Sequence, residues 1–373
     1  MRPMSKLKGQ ANTSSAIATD AFSKRQSGLT LVELMVSLVI GMLVLSGVTY
    51  VFFASRTTYG YNESLSRIQE NGRIALDALG YDIRMAGFFG CGKPELIPVN
   101  VIANSPPVDK VDKSIAVTGY TYGDAAVSFV DSGALKGVAG SDVIVIRRGS
   151  SRALNLVGQL KTDNANIQIG CNPDNFKAND VLLVTDCSVG DLFRATSVSA
   201  GADSKTCDGD EEAKADSSKV TIPHAESTNT TNKLSKTYGK DAQVMRFEEI
   251  AFFLRDSGRK SKSGAPVVSL YRRVNGVDEE IVDGVSSMRA FFELEGGGGT
   301  FLHTGEVGAT NWMNVVAVQV HLLMSSQDQT VTESQQYWFP VAGKRPEDSM
   351  TASTDKAMRQ TFVQTIALRN RLP

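Results

Sequence analysis

A long run of apolar residues near the start of the chain separates a polar N-terminal segment from everything that follows. Between Leu29 and Ala54 the only formally charged side chain is Glu33. As a helix, these roughly 26 residues would extend ~39 Å at ~1.5 Å per residue, which is enough to cross a ~30 Å hydrocarbon core with some tilt. A buried core helix is rarely apolar on every face over such a length. The pattern predicts a transmembrane helix over residues 29–54.

The hydrophobic pattern then changes from continuous to periodic. Within residues 65–86 apolar side chains recur at steps of three and four, with charged side chains between them, which is the period of an amphipathic helix. No proline occurs in residues 29–87, so nothing requires a break, although residues 57–61 are the weakest part of the pattern. We expect the helix to continue over residues 55–90 and to end at the glycines that begin with Gly87.

From about residue 93 the chain reads as short β-type runs separated by turn residues. The polar residues 200–219 indicate a surface excursion, the four glycines at 296–299 a mobile hairpin tip, and residues 356–371 either a strand or a short helix. The fold class is therefore α+β, with a long N-terminal helix packed on an antiparallel β-rich domain of one or two lobes over residues 91–373. The expected strands are 114–118, 126–129, 142–147, 166–169, 181–185, 191–196, 243–254, 267–273, 280–282, 288–295 and 315–324.

Charge orients the chain in the membrane and excludes one class of partner. Lys24 and Arg25 lie just before the apolar run, so the N-terminus is expected in the cytoplasm and all residues after Ala54 on the other side of the membrane. The 373 residues carry a net charge of −1, and removal of residues 1–28, whose net charge is +4, would leave −5. A mildly acidic protein argues against direct binding of nucleic acid.

The four cysteines, Cys91, Cys171, Cys187 and Cys207, all lie on the expected outer side, where disulfides persist. Four cysteines allow three pairings, and the sequence does not decide among them. We favour Cys187–Cys207, which would close a polar loop, and then Cys91–Cys171 by remainder. Buried free thiols are the alternative.

Nothing in the sequence provides a catalytic or cofactor-binding constellation. No CxxC pair occurs and the three histidines are scattered, so neither a zinc site nor any other metal or cofactor is expected. The acidic residues 208–212 could suggest calcium, but they lack the glycine and distal glutamate of an EF-hand loop, and a solvated loop is favoured. Phosphate-binding loops, nucleophile elbows and HExxH pairs are also absent from the sequence. A membrane-anchored enzyme facing the periplasm is the least favoured hypothesis.

The residues around Glu33 resemble the cleavage site of type IV prepilins. A basic leader ends in Gly28, and the segment from Leu29 places Glu33 at its fifth position. The resemblance implies that a prepilin peptidase cuts between Gly28 and Leu29, removes the leader 1–28 and methylates the amine of Leu29. It also implies that Glu33 pairs with the N-terminal amine of a neighbouring subunit during assembly; the alternative is that the Glu33 side chain extends to the lipid headgroups. An ordinary secretory signal would instead be cut after its apolar region.

Several later segments resemble the PilW family of minor pilins. They are residues 84–92, 180–196, 270–292 and 367–373. Unlike the major pilins, the membrane half of this chain carries no proline, which puts local melting of the helix on assembly in doubt.

The resemblance to PilW implies a non-enzymatic minor pilin that is held in the inner membrane, with a periplasmic C-terminal domain, and is then incorporated into a pilus. It would help to initiate or prime assembly, at the tip or in an initiation complex, and support twitching motility, adhesion or DNA uptake. The implied partners are other minor pilins, the major pilin, the assembly platform, the prepilin peptidase and a large tip adhesin. A minor pseudopilin of a type II secretion system is the alternative.

Overall fold

A computed structural model describes residues 28–90, 97–104, 116–123, 135–157, 166–199, 219–340 and 350–371. The chain divides into two compact units, residues 1–56 and 57–373. The helix α1 (Leu31–Arg84) contributes residues to both units. Residues 57–61, the weakest part of the predicted pattern, are helical, and the helix ends near the expected position, because Gly87 adopts a positive φ of 72°.

The first unit contains the apolar part of α1. Its large apolar side chains are exposed along the whole run, from Leu31 at 76% to Phe53 at 59%. Within the described residues, α1 is the helix that is long and apolar enough to cross a membrane. This outcome fits the expected membrane-anchored protein.

The second unit contains all the strands of the described residues. In chain order they are β1 (Val99–Val101), β2 (Val117–Thr121), β3 (Asp142–Gly149), β4 (Leu154–Asn155), β5 (Asn166–Ile169), β6 (Val181–Thr185), β7 (Gly190–Arg194), β8 (Val220–Pro223), β9 (Gln243–Lys260), β10 (Pro266–Val274), β11 (Val277–Asp283), β12 (Val285–Leu294), β13 (Phe301–His303), β14 (Val315–Gln329), β15 (Gln336–Trp338), β16 (Met350–Ala352) and β17 (Ala357–Ala367). Two short 3-10 turns, Thr304–Glu306 and Trp312–Asn314, lie between β13 and β14. The expected α+β class with antiparallel sheets is confirmed.

A nine-stranded sheet is built around the long strand β9. The main order is β1-β7-β6-β9-β10-β11, with β3 and β4 also paired to β9 and β2 paired to β3. The first residues of β9 pair with β4 and β6, and the rest pair with β3 and β10. Gly149, the last residue of β3, is directly opposite Phe247 of β9, so the chain between them, which includes β4, β6 and β7 of the same sheet, begins and ends at adjacent points. The β1–β7 pair is parallel, unlike the antiparallel pattern expected from the sequence.

A second sheet has the order β13-β12-β14-β17 and is antiparallel throughout. Two small sheets, β5–β8 and β15–β16, complete the described strands. The Gly296–Gly299 segment connects β12 to its partner β13 as a turn, as expected for a hairpin tip. The C-terminal segment is strand β17, which resolves the choice between strand and helix.

The principal core lies where the C-terminal half of α1 packs against both large sheets. Ile68, Gly72, Ala75, Leu79 and Ile83 are buried at three- and four-residue spacing, and the apolar side chains among them belong to a cluster with residues of β3, β9, β12, β14 and β17. This is the face that the periodic pattern predicted. A second cluster includes residues of β4 to β8 and the start of β9, so the unit has more than one hydrophobic core.

Gly284 forms the corner between the two large sheets. Its N–H donates to the carbonyl oxygen of Val268 at 2.9 Å, and its own carbonyl accepts from the N–H of Ser325 at 2.8 Å. Its φ is +78°, and an added Cβ would lie 2.9 Å from the Ser325 oxygen. This position requires glycine both for its backbone conformation and for the close approach of Ser325.

Some of the predicted strands agree with the structure in their bounds, and others do not. Strands 166–169 and 181–185 are found at the expected bounds as β5 and β6, and residues 191–194 pair with β6 as the expected hairpin partner. The strand expected at 114–118 is β2, from Val117. The expected strand at 126–129 and most of the polar excursion at 200–219 lie outside the described residues. Strands β1, β4, β8, β13, β15 and β16 were not predicted.

Candidate processing and assembly site

The residues at the start of α1 form a capping box that closes the first turn of the helix. Glu33 Oε2 accepts hydrogen bonds from the N–H and from the hydroxyl of Thr30, both at 3.0 Å, and Thr30 Oγ1 accepts from the N–H of Glu33 at 3.3 Å. A Thr at the N-cap and a Glu three residues later satisfy N–H groups that the helix itself leaves without acceptors. Glu33 therefore has a role within its own helix.

Gly28 and Leu29 lie just before this cap, outside regular secondary structure, and both are exposed. Leu29 is 76% exposed. Apart from its chain neighbours, no atom of the described residues lies within 4 Å of the position that a Cβ on Gly28 would take. Packing within the described part of the chain therefore does not require glycine at position 28.

The C-terminal half of α1 is attached to the β-rich unit by a buried ionic cluster. The carboxylate of Asp82, which is 2% exposed, lies 2.6 Å from Arg272 Nε and 3.0 Å from Arg148 Nη2. Arg148 also pairs with Glu248 at 3.0 Å. Burial disfavours the charged form of Arg272, but its hydrogen bond and attraction to Asp82 outweigh this effect and raise its pKa. The cluster joins α1 to β3, β9 and β10.

Closer to the middle of the helix, small and polar residues bring α1 against the strands. A Cβ on Gly72 would lie 2.7 Å from the Phe362 ring, so glycine permits this close packing. Asn71 Nδ2 donates to Asp283 Oδ1 at 3.0 Å. After the helix, the carbonyl oxygen of Ala86 accepts from Asn370 Nδ2 at 3.1 Å.

Two buried polar clusters in the β-rich unit serve the fold. The Asp142 carboxylate accepts from Thr121 Oγ1 at 2.8 Å and from the N–H of Ala290 at 2.9 Å, and it also contacts Arg289 and His303 Nε2. The Asp191 carboxylate accepts from Tyr238 and Ser235, and from Asn100. Each carboxylate joins separate elements of the fold. Both of its oxygens accept hydrogen bonds, which offsets the cost of burying a polar group.

Metal binding has no visible basis in the part of the chain that the structure describes. Those residues contain no cluster of three or more His, Cys, Asp or Glu side chains that could hold an ion. Burial lowers the pKa of His321 to about 4, and burial likewise lowers the pKa of His224 to about 4. Both imidazoles are therefore neutral at pH 7. The acidic residues 208–212 lie outside the described part.

Two of the four predicted disulfide cysteines lie in the described residues. Cys171 is 1% exposed, and Cys187 occupies a turn with φ +70° after β6. Both are half-cystines. Cys91 and Cys207 lie outside the described residues, so the pairing Cys187–Cys207 with Cys91–Cys171 stays a prediction.

These features define a β-rich protein with a long N-terminal helix that fits a membrane anchor and begins at a prepilin-type site. Two family models match the chain: the prokaryotic N-terminal methylation motif over residues 23–49, and type IV pilus-assembly protein W, PilW, over residues 258–370. The recognition of both the motif and the PilW family is confirmed in these regions. Together they support a type IV pilus minor pilin at the level of the family, which is a family of structural proteins rather than enzymes.

The comparisons with curated proteins and with solved structures gave no match. The PilW match begins within β9 and extends beyond β17. It thus includes the four-stranded sheet and the β10–β11 hairpin, and it does not include residues 150–246.

Thr30 was missed by reasoning from the sequence, although its signal was present. Thr30-Leu31-Val32-Glu33 directly before an apolar run is the pattern of a capping box. The amphipathic pattern of residues 65–86 predicts a solvated face for the charged residues between the apolar ones, and Asp82 is one of them, but the structure buries it. No local signal distinguishes it, because its partner Arg272 is 190 residues away.

Proposed function

We propose that the chain is the precursor of a minor pilin that helps to initiate assembly of a type IV pilus. One observation carries this proposal: a methylation motif at the start of an exposed apolar helix lies in the same chain as a PilW-matching region. The N-terminus would be cytoplasmic and the β-rich unit periplasmic, with α1 in the inner membrane until the subunit enters the pilus.

The first step is processing. A prepilin peptidase hydrolyses the peptide bond between Gly28 and Leu29, which releases the leader and leaves a free amine on Leu29 for methylation. The exposure of these residues and their position outside the helix support this step, because a protease needs an accessible backbone. Packing within the described residues does not require Gly28, and recognition by the peptidase gives the glycine a role.

The second step is lateral assembly of apolar helices. Side chains exposed on every face of α1 require lipid or neighbouring helices to cover them. In that low-dielectric setting the Glu33 carboxylate would pair with the amine of a neighbouring subunit, because two opposite charges stabilise each other there. Glu33 Oε1 makes no hydrogen bond among the described residues, so the capping box leaves one carboxylate oxygen for this partner.

The partners proposed on this basis are other minor pilins, the major pilin, the assembly platform and a large tip adhesin. The subunit would act by helix packing and contacts between domains, without a catalytic step of its own. Its loss would reduce the number of pili and thereby twitching motility, adhesion or DNA uptake.

The test is the N-terminal residue and the intact mass of the full chain from membranes, with and without the prepilin peptidase. A methylated Leu29 that depends on the peptidase is expected. Gly28→Val should remain uncut, whereas Gly41→Val, at another glycine with open space around it, should be processed normally. An intact leader in the presence of the peptidase, or a cut after the apolar run, would overturn the proposal. Pilus counts in a deletion strain then test the role in initiation.

A further inference from the structure

The chain that leaves the end of α1 lies on one face of the β6–β9 strand pair. A Cβ on Gly90 would lie 3.4 Å from Thr185 Cγ2 and 3.0 Å from Met245 Cε. Met245 is directly opposite Leu183 of β6, and Phe89 is buried with both in one apolar cluster. Because side chains alternate along a strand, Leu183 and Thr185 point to the same face of β6. Gly90 is therefore fixed on this face, at the end of β6.

Cys187 lies beside the same threonine. The N–H of Cys187 donates to Thr185 Oγ1 at 3.1 Å, so the Thr185 side chain is next to both Gly90 and Cys187. Cys91 follows Gly90 directly in the sequence, which puts their Cα atoms ~3.8 Å apart across a trans peptide. A disulfide joins Cα atoms ~4.4–6.8 Å apart. Covalent geometry therefore holds Cys91 close to Cys187.

The far end of the segment that contains Cys91 is fixed beside the same turn. Ile97 is buried in the same cluster as Phe89, and the carbonyl oxygen of Pro98 accepts from the N–H of Gly190 at 3.0 Å. Gly190 begins β7 and is directly opposite the last residue of β6. Both ends of the Cys91 segment thus flank the β6–β7 turn, and this turn carries Cys187.

Cys171 faces the other side of β6. Its side chain is 1% exposed and is buried in a cluster with Leu182 and Val184. These two residues alternate with those that face Gly90, so they point to the opposite face of the strand. A bond between Cys91 and Cys171 would have to cross the sheet or pass around its edge.

The segment that contains Cys207 begins and ends next to Cys171. Ile169, the last residue of β5, is directly opposite Val220, the first residue of β8. The N–H of Ser199 donates to the carbonyl oxygen of the next residue of β8 at 2.9 Å. The chain therefore departs after Ser199 and returns at Val220 beside the end of β5. Cys171 follows that end by two residues.

We propose that Cys91 is bonded to Cys187 and that Cys171 is bonded to Cys207. Both described cysteines are half-cystines, and this pairing gives each of them the partner whose segment is fixed on its own side of β6. It differs from the pairing predicted from the sequence, which considered only the polar loop between Cys187 and Cys207.

The two bonds have different positions in the fold. Cys91–Cys187 joins the end of α1 to the β6–β7 hairpin, whereas Cys171–Cys207 stays within the chain between β3 and β9. As each S–S bond forms, two thiols lose two protons and two electrons, which reduce the disulfide of an oxidising protein partner to a dithiol. The pairing does not depend on the proposed role in the pilus.

Trypsin separates the four cysteines, so mass spectrometry can determine their pairing. The enzyme cuts after Lys and Arg but not before Pro, and each cysteine falls in a peptide of its own: 85–110, 162–177, 178–194 and 206–214. The full chain is purified from membranes in detergent and unfolded, and its free thiols are blocked with N-ethylmaleimide. It is then digested without reductant at slightly acidic pH, which suppresses thiol–disulfide exchange.

The expected products are peptide 85–110 linked to 178–194, and peptide 162–177 linked to 206–214. Reduction should abolish both linked masses. The pairing predicted from the sequence would instead link 85–110 to 162–177. The third possible pairing would link 85–110 to 206–214. Each pairing gives its own set of masses, so the digest distinguishes all three.

Two matched serine variants give an independent measurement. Cys91→Ser should leave a free thiol on Cys187 and keep the other bond, so N-ethylmaleimide should label peptide 178–194. Cys171→Ser should leave a free thiol on Cys207 and keep Cys91–Cys187, so the label should move to peptide 206–214. If either variant does not accumulate, the digest of the unsubstituted chain decides by itself.

The proposal is overturned if most of peptide 178–194 is linked to 206–214 or to 162–177. It is also overturned if Cys91→Ser frees the thiol of Cys171 or of Cys207. Labelling of all four cysteines in the unsubstituted chain would overturn it as well.

Discussion

Glu33 Oε2 lies 3.0 Å from both the N and the Oγ1 atoms of Thr30, so this carboxylate caps the helix to which it belongs. The proposed pairing of Glu33 with a neighbouring subunit therefore adds to an existing structural role. The two roles depend on different properties of the side chain. Capping requires a hydrogen-bond acceptor, whereas pairing requires a negative charge.

Glu33→Gln separates these roles, because glutamine also serves at this position of a capping box but carries no charge. We expect Glu33→Gln to be inserted and cleaved normally and to enter pili poorly, as Glu33→Val should. Thr30→Val removes the cap, at a cost of about 1 kcal/mol, and keeps the charge, so it should assemble. The measurement is the amount of each variant in sheared pili relative to membranes. Normal incorporation of Glu33→Gln would show that capping alone is required.

Asp82→Asn should destabilise the β-rich unit by about 3–5 kcal/mol, since it removes the buried anion that Arg148 and Arg272 share and leaves Arg148 paired with Glu248 alone. Thermal unfolding followed by circular dichroism provides the measurement. Asp77→Asn is the matched control on the same helix, because Asp77 is 73% exposed in its ion pair with Arg73 and should change stability by less than about 1 kcal/mol. Equal stability of the two variants would contradict a structural role for the buried cluster.

His321 should make stability depend on pH between about 6.5 and 4. Burial lowers its folded pKa to about 4 from 6.5, so the unfolded chain binds the proton more readily in this range. The contribution of neutral His321 to the free energy of unfolding is fully present above pH 6.5. It is lost as the pH falls toward 4, with a slope of up to ~1.4 kcal/mol per pH unit from one such group. Denaturant titrations at several pH values should show a shallower dependence for His321→Gln. An unchanged slope would mean that His321 does not contribute.

Gly284→Ala should cost more stability than Gly258→Ala. Both glycines have φ +78°, but only an added Cβ at 284 meets an atom, the Ser325 oxygen at 2.9 Å, whereas Gly258 has open space. The backbone conformation alone should cost about 1–2 kcal/mol at each site. The difference between the two unfolding free energies then measures the close approach at the corner between the sheets. Equal losses of stability in the two variants would contradict a close approach of Ser325 to Gly284.

The sequence predicts best those elements whose signal is local. The continuous apolar run with its single charge predicts the first part of α1. The periodic apolar positions Ile68, Ala75 and Leu79 predict its buried face. The strand 181–185 is also continuous and apolar enough to be found at its true bounds. Strands β4 and β15 have two and three residues and exist only because partners pair with them, so no periodicity could indicate them. The burial of Asp82 likewise depends on partners that are distant in the chain.

The direct pairing of Gly149 with Phe247 has an evolutionary consequence. The two strands they belong to would be neighbours even if the residues between them were replaced by a short turn, so this part of the chain can lengthen, shorten or diversify without displacing either strand. Selection can thus act on residues 150–246 separately from the framework that holds α1.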